Sequence, residues 1–313
     1  MNHMKSDSSI AIRVSDLTKK YCKLTAVDHI SFEVRKGEIF GFLGPNGAGK
    51  TTTVRILTGV SEADEGEAFV MGHETGTLKA KQVTGVVPET ANAYTDLSGW
   101  KNMNLMGEIY GVPRNVIKDR SEKLLRKVNL YSRKDEPART YSKGMKQRLI
   151  LAMALISDPE ILFLDEPTVG LDVQSSRMIR NFFQELNSDG KTIFLTTHQM
   201  DEANQLCGRI AIINKGVIVK IDAPEKIKTV IRGMHSVEVK FGRLANHHFL
   251  NSISEVKSVK KIGDRYRLYT ENPGKTVVSL AKYVSARNIE IEFLNVLSPS
   301  LEDAFVALIG GEK

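Results

Sequence analysis

The stretch that decides the fold is EIFGFLGPNGAGKTTTVRILTGV, residues 38–60. Its opening, EIFGFLG (38–44), is an apolar run ending on glycine, which predicts a buried strand. Its close carries Val54, Ile56, Leu57 and Val60, a pattern that suits a helix. Between them GPNGAGKTT (44–52) fits G-x-x-x-x-G-K-[ST], in the strand–loop–helix context that pattern requires. Glycines let backbone N–H groups wrap closely around phosphate oxygens. The helix that begins there adds the positive end of its dipole. Gly44, Pro45, Asn46, Gly47, Ala48, Gly49, Lys50, Thr51 and Thr52 are therefore candidate phosphate-binding residues. Lys50 is expected to reach the β- and γ-phosphates, and Thr51 to give its hydroxyl to Mg²⁺.

Further along, ILFLD (161–165) is fully apolar and ends in acids, the pattern of a strand buried on both faces. Asp165 at its end is placed to hold Mg²⁺. Glu166 is placed in the cleft at the strand's carboxyl end, where it can orient or deprotonate an attacking water. VQSSRMIRNFFQELNSDG (173–190) reads as an amphipathic helix closing at Gly190. KTIFLTTH (191–198) is the next buried strand, ending on His198, an imidazole able to stabilise charge on a transferred phosphoryl group. Strand, helix and strand in succession predict a parallel α/β sheet. IAIRVSDL (10–17) reads as an edge strand, SFEV (31–34) as a short strand, 117–130 as a helix, and RIAIINKGVIVKI (209–221) as a hairpin.

A second exposed helix start stands at YSKGMKQRL (141–149), ahead of the apolar LILAMALI. Ser142 is an N-cap candidate there, since its hydroxyl can accept from a free amide of the first turn. After about residue 230 the texture becomes β-α-β-β-α-β, the order of a ferredoxin-like unit, followed by a short helix from Ser300. Two domains are expected, 8–228 and 229–313.

Composition sets the outer limits. The chain has 313 residues, 41% hydrophobic and 26% charged, as a soluble globular protein has. Its longest apolar run has eight residues, 149–156, far short of a membrane span. The N-terminal residues lack the apolar core of a signal peptide, so a cytoplasmic protein is expected unless a partner holds it at a membrane. The net charge of +7 is interspersed, without the basic run that marks a nucleic-acid surface. Cys22 and Cys207 have no metal-ligand spacing and are expected to be reduced and inert.

GPNGAGKTT, YSKGM, ILFLDEP, VGLD and TTH, in this order, resemble the nucleotide-binding subunit of ABC transporters. The likeness covers roughly residues 10–225, motif by motif. SPSLEDAF (298–305) resembles the C-terminal extension of drug-export and ABC-2-type subunits. The resemblance implies an α/β P-loop NTPase domain with a helical subdomain, followed by a small α+β domain. It also implies ATP and Mg²⁺ as cofactors, ATP hydrolysis as the activity, and a head-to-tail dimer, homodimeric or heterodimeric. The partner would be an integral membrane permease, with the chain at the cytoplasmic face of the membrane. Ser142, Gly144 and Met145 would face the γ-phosphate held by another copy. Tyr21 would stack on adenine, Asp172 would communicate across the dimer, and VVPETANAY (86–94) would sense the permease.

Two positions depart from the family pattern. Glu89 stands where glutamine is usual; it can still ligate Mg²⁺, yet it adds negative charge beside phosphates. YSKGM replaces Leu-Ser-Gly-Gly-Gln, keeping Ser142 and Gly144 while introducing Lys143 and Met145. The alternatives are a non-transport ABC ATPase acting on the ribosome or nucleic acid, and a regulator that binds ATP without turnover. The first lacks the coiled-coil insertion or second cassette of such relatives; Glu166 and His198 speak against the second.

Overall fold

The computed structural model describes residues 8–90, 93–231, 235–242, 247–287 and 289–310. Ala91 and Asn92 of the segment expected to sense the permease lie outside the described residues. The chain divides into two compact units, Met1–Pro224 and Glu225–Lys313.

In the first unit the chain runs β1 (Ile10–Tyr21), β2 (Leu24–Arg35), β3 (Ile39–Leu43), α1 (Lys50–Leu57), β4 (Glu65–Val70) and β5 (His73–Glu74). It continues through α2 (Leu78–Gln82), β6 (Thr84–Val87), α3 (Gly99–Ile109), α4 (Arg114–Lys127) and α5 (Lys143–Ala154). Then come β7 (Ile161–Asp165), α6 (Val173–Ser188), β8 (Thr192–Thr197), α7 (Met200–Leu206), β9 (Arg209–Asn214) and β10 (Val217–Asp222).

The strands form two sheets, β2-β1-β4-β5 and β10-β9-β3-β8-β7-β6. The larger is parallel except for the β9–β10 hairpin. Every residue of β3, β7 and β8 is buried, as strands inside a parallel sheet must be. Phe194 of β8 anchors the core, its ring 5.4 to 6.1 Å from those of Phe32, Phe40, Phe42 and Phe163. Phe32 belongs to the smaller sheet, so the same aromatic cluster joins both layers. β3, β7 and β8 are neighbours, and their carboxyl ends bring three loops together.

β1 is not an edge strand. It lies between β2 and β4 and runs for 12 residues. Register shifts along it, with Asp16 at φ 52°, break the alternation that would reveal its length in the sequence. Helices α3, α4 and α5 pack together as a helical subdomain. Cys22 is exposed and unbridged; Cys207 is buried against Gly41, and burial pushes its thiol pKa up.

The second unit holds α8 (Pro224–Lys228, from its second residue), β11 (His235–Phe241), α9 (His247–Ser252), β12 (Val256–Ile262), β13 (Arg265–Thr270), α10 (Pro273–Arg287), β14 (Ile291–Leu297) and α11 (Leu301–Gly310). Its antiparallel sheet has the order β12-β13-β11-β14. Val237, Val239, Leu250, Leu268 and Leu280 form its separate core. Ser300 starts α11 as a reciprocal cap: its Oγ accepts from Asp303 N–H at 3.1 Å, and the Asp303 carboxylate accepts from Ser300 N–H at 3.1 Å.

Candidate active site

The phosphate loop leaves the end of β3 and enters α1. Gly49 precedes the helix at φ 106°, a conformation open to glycine and strained for other residues. A Cβ there would lie 2.4 Å from the Ala26 carbonyl oxygen, and one on Gly44 2.4 Å from that of Ile213. No side chain caps α1, whose first internal bond runs from Thr53 N–H to Gly49 O at 3.0 Å. The amides of Lys50, Thr51 and Thr52 therefore have no acceptor within the helix. Lys50 Nζ donates to the carbonyls of Gly44 at 2.8 Å and Pro45 at 3.2 Å. It also lies 3.2 Å from Glu166 Oε1, an ion pair out of hydrogen-bond alignment.

Glu166 follows the last residue of β7 and is buried, with φ 51°. Its amide donates to Thr196 O at 3.1 Å and meets Thr196 Oγ1 at 3.2 Å. Thr196 Oγ1 in turn donates to the Asp165 carboxylate. Glu166 Oε2 lies 2.9 Å from His198 Nδ1. Three neighbouring strands thus converge on one carboxylate, with Lys50 on one oxygen and His198 on the other.

A cleft of about 380 Å³ opens over this group. Of the predicted residues, Tyr21, Asn46, Gly47, Gly49, Lys50, Thr51, Thr52, Glu89, Glu166 and His198 line it. Gly44, Pro45, Ala48 and Asp165 are not in that lining; Gly44, Ala48 and Asp165 are buried behind it. Ser142, Gly144, Met145 and Asp172 also stand apart from it. Unpartnered helix-start amides, a lysine and an exposed tyrosine at the rim fit a nucleoside triphosphate. Among the described residues no three acids, histidines or cysteines are grouped to hold a metal by themselves. Thr51 and Glu89 in the lining, with Asp165 behind, suit Mg²⁺ instead, which is bound through one or two carboxylates and substrate phosphates.

The family model described as ABC transporter matches residues 27–169. The chain is 35% identical over 306 residues to the linearmycin resistance ATP-binding protein LnrL of Bacillus subtilis (strain 168), covering 96% of this chain and 98% of that one. It is 36% identical over 309 residues to the Nod factor export ATP-binding protein I of Ralstonia nicotianae, covering 97% and 95%. The chain belongs to the ABC transporter ATP-binding proteins. Among solved structures, an ATP-binding subunit of an ABC transporter is similar with a TM-score of 0.65 and 26% identity, over 70% of this chain and 92% of that one. As a member of this family the protein is an ATPase that binds ATP with Mg²⁺.

Within this ABC cassette the residues outside the cleft form their own group. Ser142 caps α5, accepting from Met145 N–H at 3.2 Å. Asp172 caps α6, accepting from Ser175 N–H and Ser175 Oγ at 2.8 Å each, and these bonds hold its carboxyl below the ordinary range. A Cβ on Gly144 would fall 2.4 Å from Ser175 Oγ, so this glycine lets the starts of α5 and α6 approach. Met145 is buried, 8% exposed, with its sulfur 3.5 Å from Arg133 Nη1. Sequence reasoning missed Leu24, Ala26 and Val169 in the lining, and Thr168, Thr196 and Glu202 beside it. Only Glu202 left a trace: an acid four residues after His198, in a segment that reads as a helix start.

Proposed function

We propose that the chain is the ATPase subunit of a membrane exporter, working as a head-to-tail dimer against a separate permease. One observation carries this reading. The cleft gathers Lys50, Glu166 and His198, while Ser142, Gly144 and Asp172 cluster at the starts of α5 and α6. A second copy completes each cleft by bringing that cluster, with its helix dipole, to the γ-phosphate.

In this reading ATP stacks its base on Tyr21 and lays its phosphates on residues 46–52. Lys50 exchanges Glu166 and the loop carbonyls for phosphate oxygens. Glu166 orients the attacking water and takes its proton; His198, bonded to Glu166, holds the carboxylate towards the γ-phosphate. Mg²⁺, when bound, neutralises phosphate charge; Thr51, Asp165 and Glu89 are the residues that would hold it.

Among the described residues no helix is long and apolar enough to cross a membrane, so the membrane path belongs to another chain. We place the protein at the cytoplasmic face, held by that permease. The half-buried Leu97 and Trp100, beside the segment carrying Glu89, form the docking region in this reading. Export follows from the names of the relatives, one in linearmycin resistance and one in Nod factor export. Residues 8–228 act as the nucleotide-binding domain. Residues 229–313 act as a ferredoxin-like accessory domain, supported by the strand order β12-β13-β11-β14 with two helices between strands.

The test is to tag the chain in its own cells, solubilise membranes gently and identify what co-purifies. A multi-span membrane protein in stoichiometric amount is expected. Ribosomal proteins, nucleic acid or no partner would overturn the transporter assignment while leaving the ATPase.

A further inference from the structure

Glu202 is a buried acid that the proposed hydrolysis does not use. It lies in α7, 1% exposed, and its Oε1 accepts from Thr168 Oγ1 at 2.8 Å; Thr168 is 4% exposed. Its other oxygen is buried without an aligned donor, the Thr197 hydroxyl being the other polar side chain that bears on the carboxylate. Glu166 and Arg180 are the charged groups that bear on it. Thr168 stands two residues after Glu166, and Glu202 four after His198. The bond therefore joins α7, which follows His198, to the loop that follows Glu166, and the side chains of His198 and Glu166 meet at 2.9 Å.

Both segments need such a brace. Glu166 holds φ 51°, a conformation that is strained for a non-glycine residue and persists only where the surroundings enforce it. Helix α7 has seven residues and no side-chain cap, too short to hold its own place without a tertiary anchor. We propose that Glu202 is a positioning residue: bonded to Thr168, it ties α7 to the loop of Glu166 and so fixes Glu166 and His198 in register for hydrolysis.

This rests on Glu166 as the hydrolytic base, so Glu166→Gln is measured beside it. Turnover retained in Glu166→Gln strikes that assignment and takes the positioning role with it. Turnover lost there leaves the brace to be judged by its own variants. The full chain is purified as Glu202→Ala, Glu202→Gln, Thr168→Val and the Thr168→Val/Glu202→Ala double. Steady-state kinetics, kcat–pH profiles and thermal melts are recorded for each. Loss of one buried hydrogen bond is expected to lower kcat about tenfold in Glu202→Ala and Thr168→Val, with KM for ATP within about twofold. Glu202→Gln, which keeps an acceptor for Thr168, is expected to retain kcat within about twofold and an unshifted pH profile. The double variant is expected to be no slower than Glu202→Ala, since the bond that Thr168→Val removes is already absent there. Losses that multiply in the double overturn the proposal, as does Gln as slow as Ala, or a folded Thr168→Val with unchanged kcat. Thr168→Val, which swaps a hydroxyl for a methyl, decides the matter if Glu202→Ala does not fold.

Discussion

Gly49 enters α1 at φ 106°, with the Ala26 carbonyl 2.4 Å from where a side chain would begin. Gly49→Ala therefore meets both backbone strain and a clash. It is expected to lose about 1–3 kcal/mol of stability, and ATP binding with it, as thermal melts and nucleotide titration will measure. Glu202 makes a second prediction at this scale. Burial raises its carboxyl pKa, against the opposing pull of the Thr168 and Thr197 hydroxyls. A raised folded pKa contributes stability below the unfolded value and loses it as pH rises through the folded value. The stability of Glu202→Gln relative to the parent is thus expected to climb from about pH 4 upward and then level off. Melts across that range test it; a constant gap contradicts it.

Among the elements, α3 is tied to the segment before it by one buried amide. Asn102 is fully buried; its Nδ2 donates to the carbonyls of Tyr94, Leu97 and Ser98, and its Oδ1 accepts from Tyr94 N–H at 2.9 Å. Asn102→Leu leaves the Tyr94 N–H without its acceptor, while the three carbonyls keep the backbone amides of Leu97, Ala138 and Asn102. It is expected to cost about 1–3 kcal/mol, with faster hydrogen exchange over 94–98 as the local sign. The elements most legible in the sequence are those with a uniform environment. β3, β7 and β8 are buried throughout, so their apolar runs could be read directly, and the phosphate loop between β3 and α1 followed. β4 and β6 carry no prediction. β4 opens on the exposed Glu65, Gly66 and Glu67, and β6 has only four residues, two of them Thr84 and Gly85. Their strand character comes from long-range partners, β1 for one and β7 for the other. The cleft was legible wherever a motif fixed it. Glu202 was not, because its meaning lies in a contact with Thr168, 34 residues away.

Across the whole molecule, the cleft residues and the Ser142–Asp172 group all lie in the first unit, which ends at Pro224. A chain ending there is expected to fold and to bind ATP within about threefold of the full protein, as calorimetry will measure. Loss of ATP binding on that truncation would mean that the second unit shapes the cleft. In the proposed cycle two copies close on ATP and Glu166 then drives its hydrolysis. Light scattering and phosphate release on the full-length Glu166→Gln variant, with MgATP, test it most directly. An ATP-dependent doubling of mass is expected, with turnover lowered about a hundredfold or more. A variant that stays monomeric with ATP bound, or releases phosphate at the parent rate, would contradict it.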